Sequence, residues 1–444
     1  MSAMNPEPEG SLTQVLRNRS FVYLWVAQAL SQTSLNALVY TLLIQVEEGT
    51  GSSTALGLLI LSFIVPSVVI GAAAGVFVDR WQKKSVLLTT NLLRAAIVAT
   101  FLVLSHNYWL VLVVNLTFSI VSQFFAPAEI AAIPAVVPRQ QLIVANGLFN
   151  LTMSGAQLMG FVIVGPILVK SLQGPAVFVL LALIYVVCAL LIWLMKLEEP
   201  ELRRNGVDLK GSWLKVVGAE LREGWRLLVN DNSVSLSIMH LTLMNSLVLV
   251  IGMLAPGYVS RVLGIRADDA VLVMAPAGVG MLAGITMLPR LTRRWAKELL
   301  SNMGIFITAT VLYLLGIIGK IGHLLLPRGI LYRIGLVGLP EDAGLVSIVM
   351  TLALALGIGY AVVNVAAQTL IQERVPIDLR GRVFATQFAF ANAAAVLPLL
   401  FFGSLADLIG ISEVTFFSAT VVLAAGVFSI VQTRRLAALR WRTD

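Results

Sequence analysis

Two ionisable side chains lie inside long apolar stretches of the sequence. Glu129 occurs in FFAPAEIAAIP, and Arg94 lies well inside another stretch that has no other charge. A charge at the centre of a membrane costs roughly 2.5–3.5 kcal/mol on insertion scales, so each group needs a partner or water. A carboxyl in that setting could load and release a proton or pair with a cation. The alternative is a structural ion pair of Glu129 with Arg94 or Arg139.

Neutral polar side chains recur at helical spacing in three apolar stretches, and a fourth stretch offers only His240 and Asn245. Steps of three or four residues place such side chains on one face of a helix. Hydrocarbon offers no hydrogen bonds, so a polar face lines a water-filled cavity or bonds to a neighbouring helix. We predict that these residues line a cavity, with helix-to-helix hydrogen bonding as the alternative. They are Gln28, Gln32 and Asn36; Asn115, Ser119 and Ser122; His240 and Asn245; and Tyr360, Asn364, Gln368 and Gln372.

The other residue types that carry chemistry are scattered. The sequence has one cysteine, Cys188, and three histidines far apart, so a metal site is not expected. No nucleophile and base occur together at matching depth, and we expect neither catalysis nor a bound cofactor. The remaining acids near the apolar stretches are interpreted as solvated helix ends. They are Glu47, Glu48 and Asp407.

The composition indicates that a membrane surrounds these residues. Of the 444 residues, 58% are hydrophobic and only 12% are charged, and the mean hydropathy is +0.90. Soluble domains are typically about 45–50% apolar. Uncharged runs of about 20 residues, enough to cross roughly 30 Å of hydrocarbon as a helix, recur along the chain. We predict an all-α integral membrane protein with twelve spans, at 21–45, 55–78, 86–105, 109–136, 144–170, 174–196, 234–260, 269–290, 299–319, 345–372, 383–406 and 413–433.

The basic residues are distributed unevenly between the two sides of the predicted membrane. Roughly three-quarters of the 31 Lys and Arg residues fall in the amino-terminal segment, in loops after even-numbered spans or in the carboxyl-terminal tail. Loops rich in Lys and Arg stay in the cytoplasm, so we predict that both termini are cytoplasmic. Topology and contact with anionic lipid then account for the net charge of +8, and no nucleic-acid partner is expected.

The spans fall into two sets of six with matching loops. Within the polar interval between the sets, Trp213 to Val229 has apolar residues at helical spacing and is predicted to lie on the membrane surface. RWQK at Arg80 recurs as RWAK at Arg294, and Pro138 corresponds to Pro376. The repetition predicts two pseudo-symmetric six-helix bundles. The predicted divisions are a cytoplasmic segment 1–20, a bundle 21–196, a linker 197–233, a bundle 234–433 and a cytoplasmic tail 434–444.

The loop after the second span carries the motif GVFVDRWQKK. It resembles the signature G-x-x-x-D-R-x-G-(R/K)-(R/K) of the major facilitator superfamily, with Gln82 in place of the second glycine. The resemblance implies twelve helices around a central cavity lined by helices 1, 4, 7 and 10. It also implies a cytoplasmic latch, in which the acid of the motif meets the start of helix 11. The residues of the latch motif are Gly75, Asp79, Arg80, Lys83, Lys84, Gly381 and Arg382. Of these, Arg80, Lys83 and Lys84 would hold the loop at the lipid headgroups, with a role as simple topology signals as the alternative.

The fifth span, with SGAQLMGFVIVGPIL, partly resembles the glycine-and-GP motif of superfamily antiporters. The residues of the motif are Gly155, Gly160, Gly165 and Pro166. Small residues permit close helix packing, and the proline bends the helix. GVGMLAG, at Gly278–Gly284, is interpreted as a helix-packing segment as well. The segments PAEIAAIPAVVP and VPIDLRGRVFA look most like those of bacterial drug and siderophore exporters, which include macrolide exporters.

The resemblance implies a secondary active transporter. We expect it to export an amphipathic or apolar small molecule by alternating access, coupled to proton influx. Sparse charge along the predicted cavity favours a largely apolar substrate. The alternatives are a lipid or lysolipid flippase of the same fold, and a non-transporting assembly factor or receptor. A membrane enzyme is the least favoured class.

The expected setting is a bacterial cytoplasmic membrane, which the chain crosses many times as a monomer in contact with lipids. The expected partners are the small-molecule substrate and protons, without a cofactor. The long outer loop from Lys320 to Gly344 could act as a lid, a docking surface or a headgroup contact, and its residues do not distinguish these roles.

Overall fold

The structure, a computed structural model, describes residues 12–104, 107–172, 175–197, 231–292, 294–325 and 343–440. Long helices dominate it, and no strand occurs among the described residues. The predicted surface helix of the linker lies outside these ranges, and most of the outer loop at 320–344 does too.

The helices follow the apolar stretches of the sequence in order. Those before the linker are α1 (Leu12–Arg17), α2 (Arg19–Thr50), α3 (Ser53–Arg80), α4 (Lys83–Leu104), α5 (Tyr108–Ser122), α6 (Phe125–Val136), α7 (Leu142–Leu158), α8 (Gly165–Ser171) and α9 (Ala176–Leu194). Those after it are α10 (Asn232–Gly257), α11 (Ala270–Leu291), α12 (Lys297–Leu325), α13 (Ala343–Arg374), α14 (Ile377–Ile409) and α15 (Ile411–Arg440).

Eleven helical segments in the described ranges are long and apolar enough to cross a membrane. The long helix missing from that set is α2, the first predicted span. It is less apolar because Gln28, Gln32 and Asn36 interrupt its hydrophobic surface. Together with α2, the segments correspond one to one with the twelve predicted spans.

Three spans depart from regular α-helix next to a proline. The fourth span breaks between α5 and α6 at Gln123, whose carbonyl would need the N–H that Pro127 lacks. In the fifth span a wider π-helical turn, Met159–Val164, precedes Pro166. In the seventh a π-helical turn, Tyr258–Val262, follows Pro256. Proline removes one backbone donor, and breaks or π-helical turns of this kind redirect a helix.

The described chain divides into two compact units. The first takes in the residues up to Gln45 and those from Ser62 to the start of the linker, and the second takes in Val46–Leu61 and the residues after the linker. In the first unit α4 packs against α9 and α5, and in the second α13 packs against α11 and α12. The segment Val46–Leu61 therefore belongs to the second unit, although the rest of α2 and α3 belongs to the first.

Glycines bring α11 and α13 into close contact within the second unit. A Cβ at Gly280 would collide with the carbonyl of Leu354, and a Cβ at Gly357 would collide with the carbonyl of Ala277. At Gly284 a Cβ would lie 2.7 Å from the Cβ of Ala361. Small residues let membrane helices pack backbone to backbone. The packing interpretation of GVGMLAG is thus confirmed for Gly280 and Gly284.

Candidate functional site

Arg94 on α4 is buried in the first unit, among hydroxyl groups and aromatic rings. Its Nε donates to Ser122 Oγ at 3.0 Å, and its Nη1 donates to Ser31 Oγ at 2.9 Å. The carbonyl of Ser122 accepts from Nη2 at 3.3 Å. The guanidinium carbon lies 4.4 Å from the centre of the Phe125 ring. Oxygen acceptors and an aromatic face are what a buried guanidinium needs when no acid is in contact.

Glu129 lies one turn after Phe125 on α6 and is also buried. Within the described part of the chain, no ion pair joins it to Arg94 or Arg139. Its Oε1 has no hydrogen-bond partner there, although the charge of Arg94 acts on it through space. A direct structural ion pair is therefore not formed, and the proton-coupling role of Glu129 and Arg94 stays a prediction.

Half of the predicted cavity residues of the first unit are buried between helices. Asn115 Nδ2 donates to Ser62 Oγ at 2.6 Å, and Ser119 Oγ donates to the carbonyl of Phe63 at 2.8 Å. Gln28 is buried and donates to the carbonyl of Phe149 at 3.4 Å. These contacts fit the alternative interpretation, in which polar groups join neighbouring helices.

Two other amides of this group are less buried. Gln32 and Asn36 are partly exposed, and Asn36 donates within its own helix to the carbonyl of Gln32 at 2.8 Å. The side chain of Asn36 also lies against Gly160. In this unit, Gln32 and Asn36 are the members of the α2 stripe that retain exposed surface for a ligand.

The predicted residues on α10 are divided in the same way. His240 is buried, with its Nδ1 2.8 Å from Ser301 Oγ of α12, so it links two helices. Asn245 is partly exposed and donates to Asn392 Oδ1 at 3.4 Å. Of the two, only Asn245 keeps the exposed side-chain surface that a cavity-lining residue requires.

A ladder of hydrogen bonds follows one face of α13. Gln368 Nε2 donates to Asn364 Oδ1 at 2.7 Å, and Asn364 Nδ2 donates to Tyr360 Oη at 3.2 Å. The side chains of Gln368 and Gln372 are exposed, although they lie in a segment that could cross a membrane. Exposed amides at that depth need water or a polar ligand, because lipid tails cannot accept hydrogen bonds. Of the three predicted stripes, this one keeps the most accessible polar surface.

The motif after the second span is described in part. Lys84 Nζ donates to the carbonyls of Trp193 and Met195 at 2.8 and 2.6 Å, and so closes the end of α9. Lys83 Nζ donates to the carbonyl of Trp81 at 3.1 Å, and Arg80 and Gly75 lie at the end of α3. The side chains of Asp79, Gly381 and Arg382 fall outside the described residues, so the latch stays a prediction.

The glycines of the fifth span do not all have the same surroundings. A Cβ at Gly160 would collide with the carbonyl of Thr33, and a Cβ at Gly165 would lie 2.8 Å from the Tyr40 ring. At Gly155 nothing lies within 4 Å of the position of a Cβ. Close packing is therefore found at Gly160 and Gly165, next to the buried Pro166 and the π-helical turn.

The interpretation as a solvated helix end is wrong for Glu47, whereas Asp407 is exposed at the end of α14 and also takes part in an ion pair. Glu47 is only 5% exposed, and its Oε2 lies 3.2 Å from Arg261 Nη2. Arg261 Nη1 also lies 3.7 Å from Asp407 Oδ1. Glu48 does remain exposed; partial burial and the nearby Asp268 raise its pKa, and Arg266 partly offsets this. We call Glu47, Arg261 and Asp407 the charge cluster.

Sequence patterns contained only weak signals of this cluster. Glu47 and Arg261 are 214 positions apart, so no local spacing relates them. One usable signal was the run Ser52-Ser53-Thr54 at the start of α3. Ser and Thr are common at helix N-termini, where the first backbone N–H groups need a hydrogen-bond acceptor. A second was Arg261 itself, at the end of a long apolar span.

The fold, with eleven helical segments in the described ranges that could cross a membrane, is typical of a multi-pass membrane protein. A sequence model of the Major Facilitator Superfamily matches residues 24–340 of the chain. The protein therefore belongs to the Major Facilitator Superfamily, as the loop motif predicted.

The chain is similar to known transporters of bacteria over most of its length. Macrolide efflux protein A of Streptococcus pyogenes is 24% identical over 414 residues, which cover 92% of this chain and 94% of that protein. An uncharacterised MFS-type transporter of Mycobacterium tuberculosis is 26% identical over 384 residues, which cover 84% of this chain and 81% of that protein.

Two solved structures show the same fold. The nucleoside transporter NupG superposes with a TM-score of 0.69 at 12% identity, over 93% of this chain and 99% of that one. A bacterial homologue of the human lysosomal transporter Spinster gives a TM-score of 0.69 at 14% identity, over 96% and 98%. The predicted all-α membrane fold of the major facilitator type is confirmed by these likenesses.

Proposed function

We propose that this protein is a secondary active exporter of amphipathic or largely apolar small molecules, driven by proton influx. The observation that carries the proposal is the similarity to macrolide efflux protein A over 92% of this chain and 94% of that protein. The similarity extends through both units, so it includes the helices that would contact a substrate as well as those that support them.

The polar face of α13 supports a substrate with few charges. Tyr360, Asn364 and Gln368 offer a hydroxyl and two amides, which bind hydroxyl, ether and carbonyl groups of a ligand. No Lys, Arg, Asp or Glu lies within that ladder. An amphipathic compound with neutral polar groups fits such a face better than a strongly ionic one, which would need opposing charges.

Proton coupling is assigned to Glu129. The carboxyl group is buried, and one of its oxygens has no hydrogen-bond partner among the described residues. Because no ion pair there holds the carboxylate, protonation of Glu129 would not have to break one. The charge of Arg94 acts on the group through space, so a change in their separation during the cycle would alter how strongly Glu129 holds a proton. Alternating access would then couple inward proton movement to outward movement of the substrate.

The proposed setting is the cytoplasmic membrane of a bacterium, with both termini in the cytoplasm. The protein would act as a monomer surrounded by lipid, and its partners would be the exported compound and protons. The Lys and Arg bias supports this orientation.

The test is the accumulation of a macrolide and of a panel of fluorescent amphipathic compounds in efflux-deficient bacteria. Cells that express the wild type should retain several-fold less compound than cells with empty vector, and a protonophore should abolish the difference. Glu129→Gln should abolish the part of export that the protonophore inhibits, because the amide cannot carry a proton, whereas Glu48→Gln, at an exposed acid, should export normally.

Two results would count against the proposal in different ways. Full export by Glu129→Gln would remove Glu129 from proton coupling and leave export standing. Equal retention of every compound with wild type and with empty vector would remove drug export. The lipid-flippase and assembly-factor alternatives would then be tested by analysis of lipids and proteins that copurify.

A further inference from the structure

The charge cluster joins elements that are far apart in the sequence. Glu47 lies near the end of α2, Arg261 in the π-helical turn after α10, and Asp407 near the end of α14. Both oxygens of Glu47 are occupied, since Ser260 Oγ donates to Oε1 at 2.9 Å and Arg261 donates to Oε2. Arg261 Nη2 also donates to Ser53 Oγ at 2.9 Å. A single guanidinium therefore contacts three elements.

Asp407 caps the first turn of α3. The backbone N–H groups of Ser53 and Thr54 donate to its two oxygens at 2.7 and 2.9 Å. The hydroxyl groups of Ser52 and Thr54 add donations of 2.7 and 2.6 Å. A helix N-terminus carries partial positive charge and free N–H groups, so a carboxylate from another helix is a strong partner for it.

Glycines beneath the cluster bring the same helices close together. A Cβ at Gly57 of α3 would lie 3.0 Å from the carbonyl oxygen of Leu399, and a Cβ at Gly403 of α14 would lie 3.0 Å from that of Ser53. The Sδ of Met253 on α10 fills the space between them and is fully buried. Gly257 leaves room for the guanidinium of Arg261, with which a Cβ would collide.

We propose that Glu47, Arg261 and Asp407 form a lock that holds the ends of α2 and α3 against α10 and α14, and that this lock must open in each transport cycle. The helices α2 and α3 continue from the lock into the first unit. Alternating access requires the ends of spans on one side of the membrane to separate and then meet again. Arg261 is a positioning residue in this scheme, because it selects a conformation and contacts no substrate.

Polar interactions suit a contact that must open and close repeatedly. When the lock opens, water can solvate both carboxylates, the guanidinium and the N–H groups of α3, so much of the lost interaction is replaced. A contact between large apolar side chains would instead expose hydrocarbon surface. The lock predicts that loss of one partner shifts the population toward the open form.

The experiment measures the reaction of Met253→Cys with a water-soluble maleimide in purified protein reconstituted in lipid nanodiscs. The introduced thiol lies directly beneath the lock and should react slowly while the lock is closed. Asp407→Asn and Arg261→Met should each raise its labelling rate about tenfold or more, which corresponds to a shift of one decade in the closed-to-open ratio. Arg261→Lys should give an intermediate rate, because it keeps the charge but loses the forked donors.

The protein contains its own control for unfolding. The native Cys188 is fully buried in the first unit. Labelling of both thiols, separated by peptide mass spectrometry, would mean that a variant has unfolded; labelling of position 253 alone means that the lock has opened. The matched control is Glu48→Gln, one residue from Glu47 and outside the cluster.

The lock proposal fails if Asp407→Asn and Arg261→Met label position 253 no faster than Glu48→Gln does. It fails equally if Met253→Cys, with Glu47, Arg261 and Asp407 intact, already reacts as fast as an exposed thiol. The reference for an exposed thiol is Glu48→Cys. Neither readout uses a transported compound, so the lock can be wrong while the proposed export is right, and the reverse also holds.

Discussion

At the scale of single residues, Arg94 shows how a buried positive charge is stabilised without a touching acid. Two serine hydroxyls and one carbonyl accept from the guanidinium of Arg94. Its central carbon lies 4.4 Å from the centre of the Phe125 ring. The rings of Phe118 and Tyr185 lie 5.9 Å away. The planar fork of arginine meets acceptors in three directions and stacks on a ring, which a lysine ammonium cannot do.

We therefore predict that Arg94→Lys destabilises the protein. The expected loss of unfolding free energy is about 1.5–3 kcal/mol, the size of lost hydrogen bonds to a charged group. The measurement is chemical denaturation of the purified protein in detergent, followed by tryptophan fluorescence. Arg80→Lys, at an exposed site, should stay within about 0.5 kcal/mol of wild type. Equal losses for the two variants would show that the hydrogen bonds and ring contacts of Arg94 add nothing to the unfolding free energy beyond what an exposed arginine adds.

Sequence reasoning at this scale found isolated charges but missed distant partners. Arg94 and Glu129 were identified because a charge within an apolar run is unusual anywhere in a membrane protein. Glu47 and Asp407 were interpreted as solvated because each stands at the end of a span, where water is the default neighbour. Tertiary structure brings their partner Arg261 to them, and no periodic pattern in the sequence predicts this contact.

At the scale of helices, glycine sets the distance between α11 and α13. Both helices place a glycine against the backbone of the other, at Gly280 and Gly357. In lipid there is little hydrophobic drive for helices to associate, so close van der Waals contact has to hold them together. The glycine pattern in GVGMLAG predicted a packing face, but it could not predict which helix covers it.

Gly357→Ala should force α11 and α13 apart. The added methyl group would collide with the carbonyl of Ala277, and overpacking of this kind costs about 1–3 kcal/mol. We expect a lower thermal denaturation midpoint and more aggregated protein on size-exclusion chromatography. Gly252→Ala is the matched control, because nothing lies within 4 Å of the position of its Cβ. A midpoint equally lowered in both variants would mean that helix propensity or lipid contact, and not the packing of α11 on α13, explains the change.

Helix interruptions were also only partly predictable. The proline in the fifth span indicated a bend, and the structure places a π-helical turn immediately before it. The fourth span was predicted as one continuous helix, although Pro127 stands after the break at Gln123. Proline marks where a helix can be disturbed, but neighbouring helices decide whether it kinks, widens or breaks.

For the whole molecule, composition and hydrophobic run length were sufficient to predict the fold class. Helices are the only spanning form that satisfies every backbone group within one segment, so each apolar run of about 20 residues becomes a helix. The assignment of Val46–Leu61 to the second unit was not predictable, because it depends on contacts at Asp407 and Gly403 with residues more than 300 positions away. Run length specifies the spans, whereas their grouping depends on tertiary contacts.

The orientation of the whole chain is the remaining prediction from charge, and cysteine labelling tests it in intact cells. Gln82 is exposed beside the basic residues Arg80, Lys83 and Lys84, which should keep it in the cytoplasm. Glu48 is exposed near the end of α2, just before α3 begins, and is therefore expected on the other side of the membrane. Glu48→Cys should therefore react with a membrane-impermeant maleimide in intact cells, whereas Gln82→Cys should react only after the cells are permeabilised. The native Cys188 is buried and should contribute little background. The reverse pattern would place both termini outside the cytoplasm and would turn the proposed lock to the inner side of the membrane.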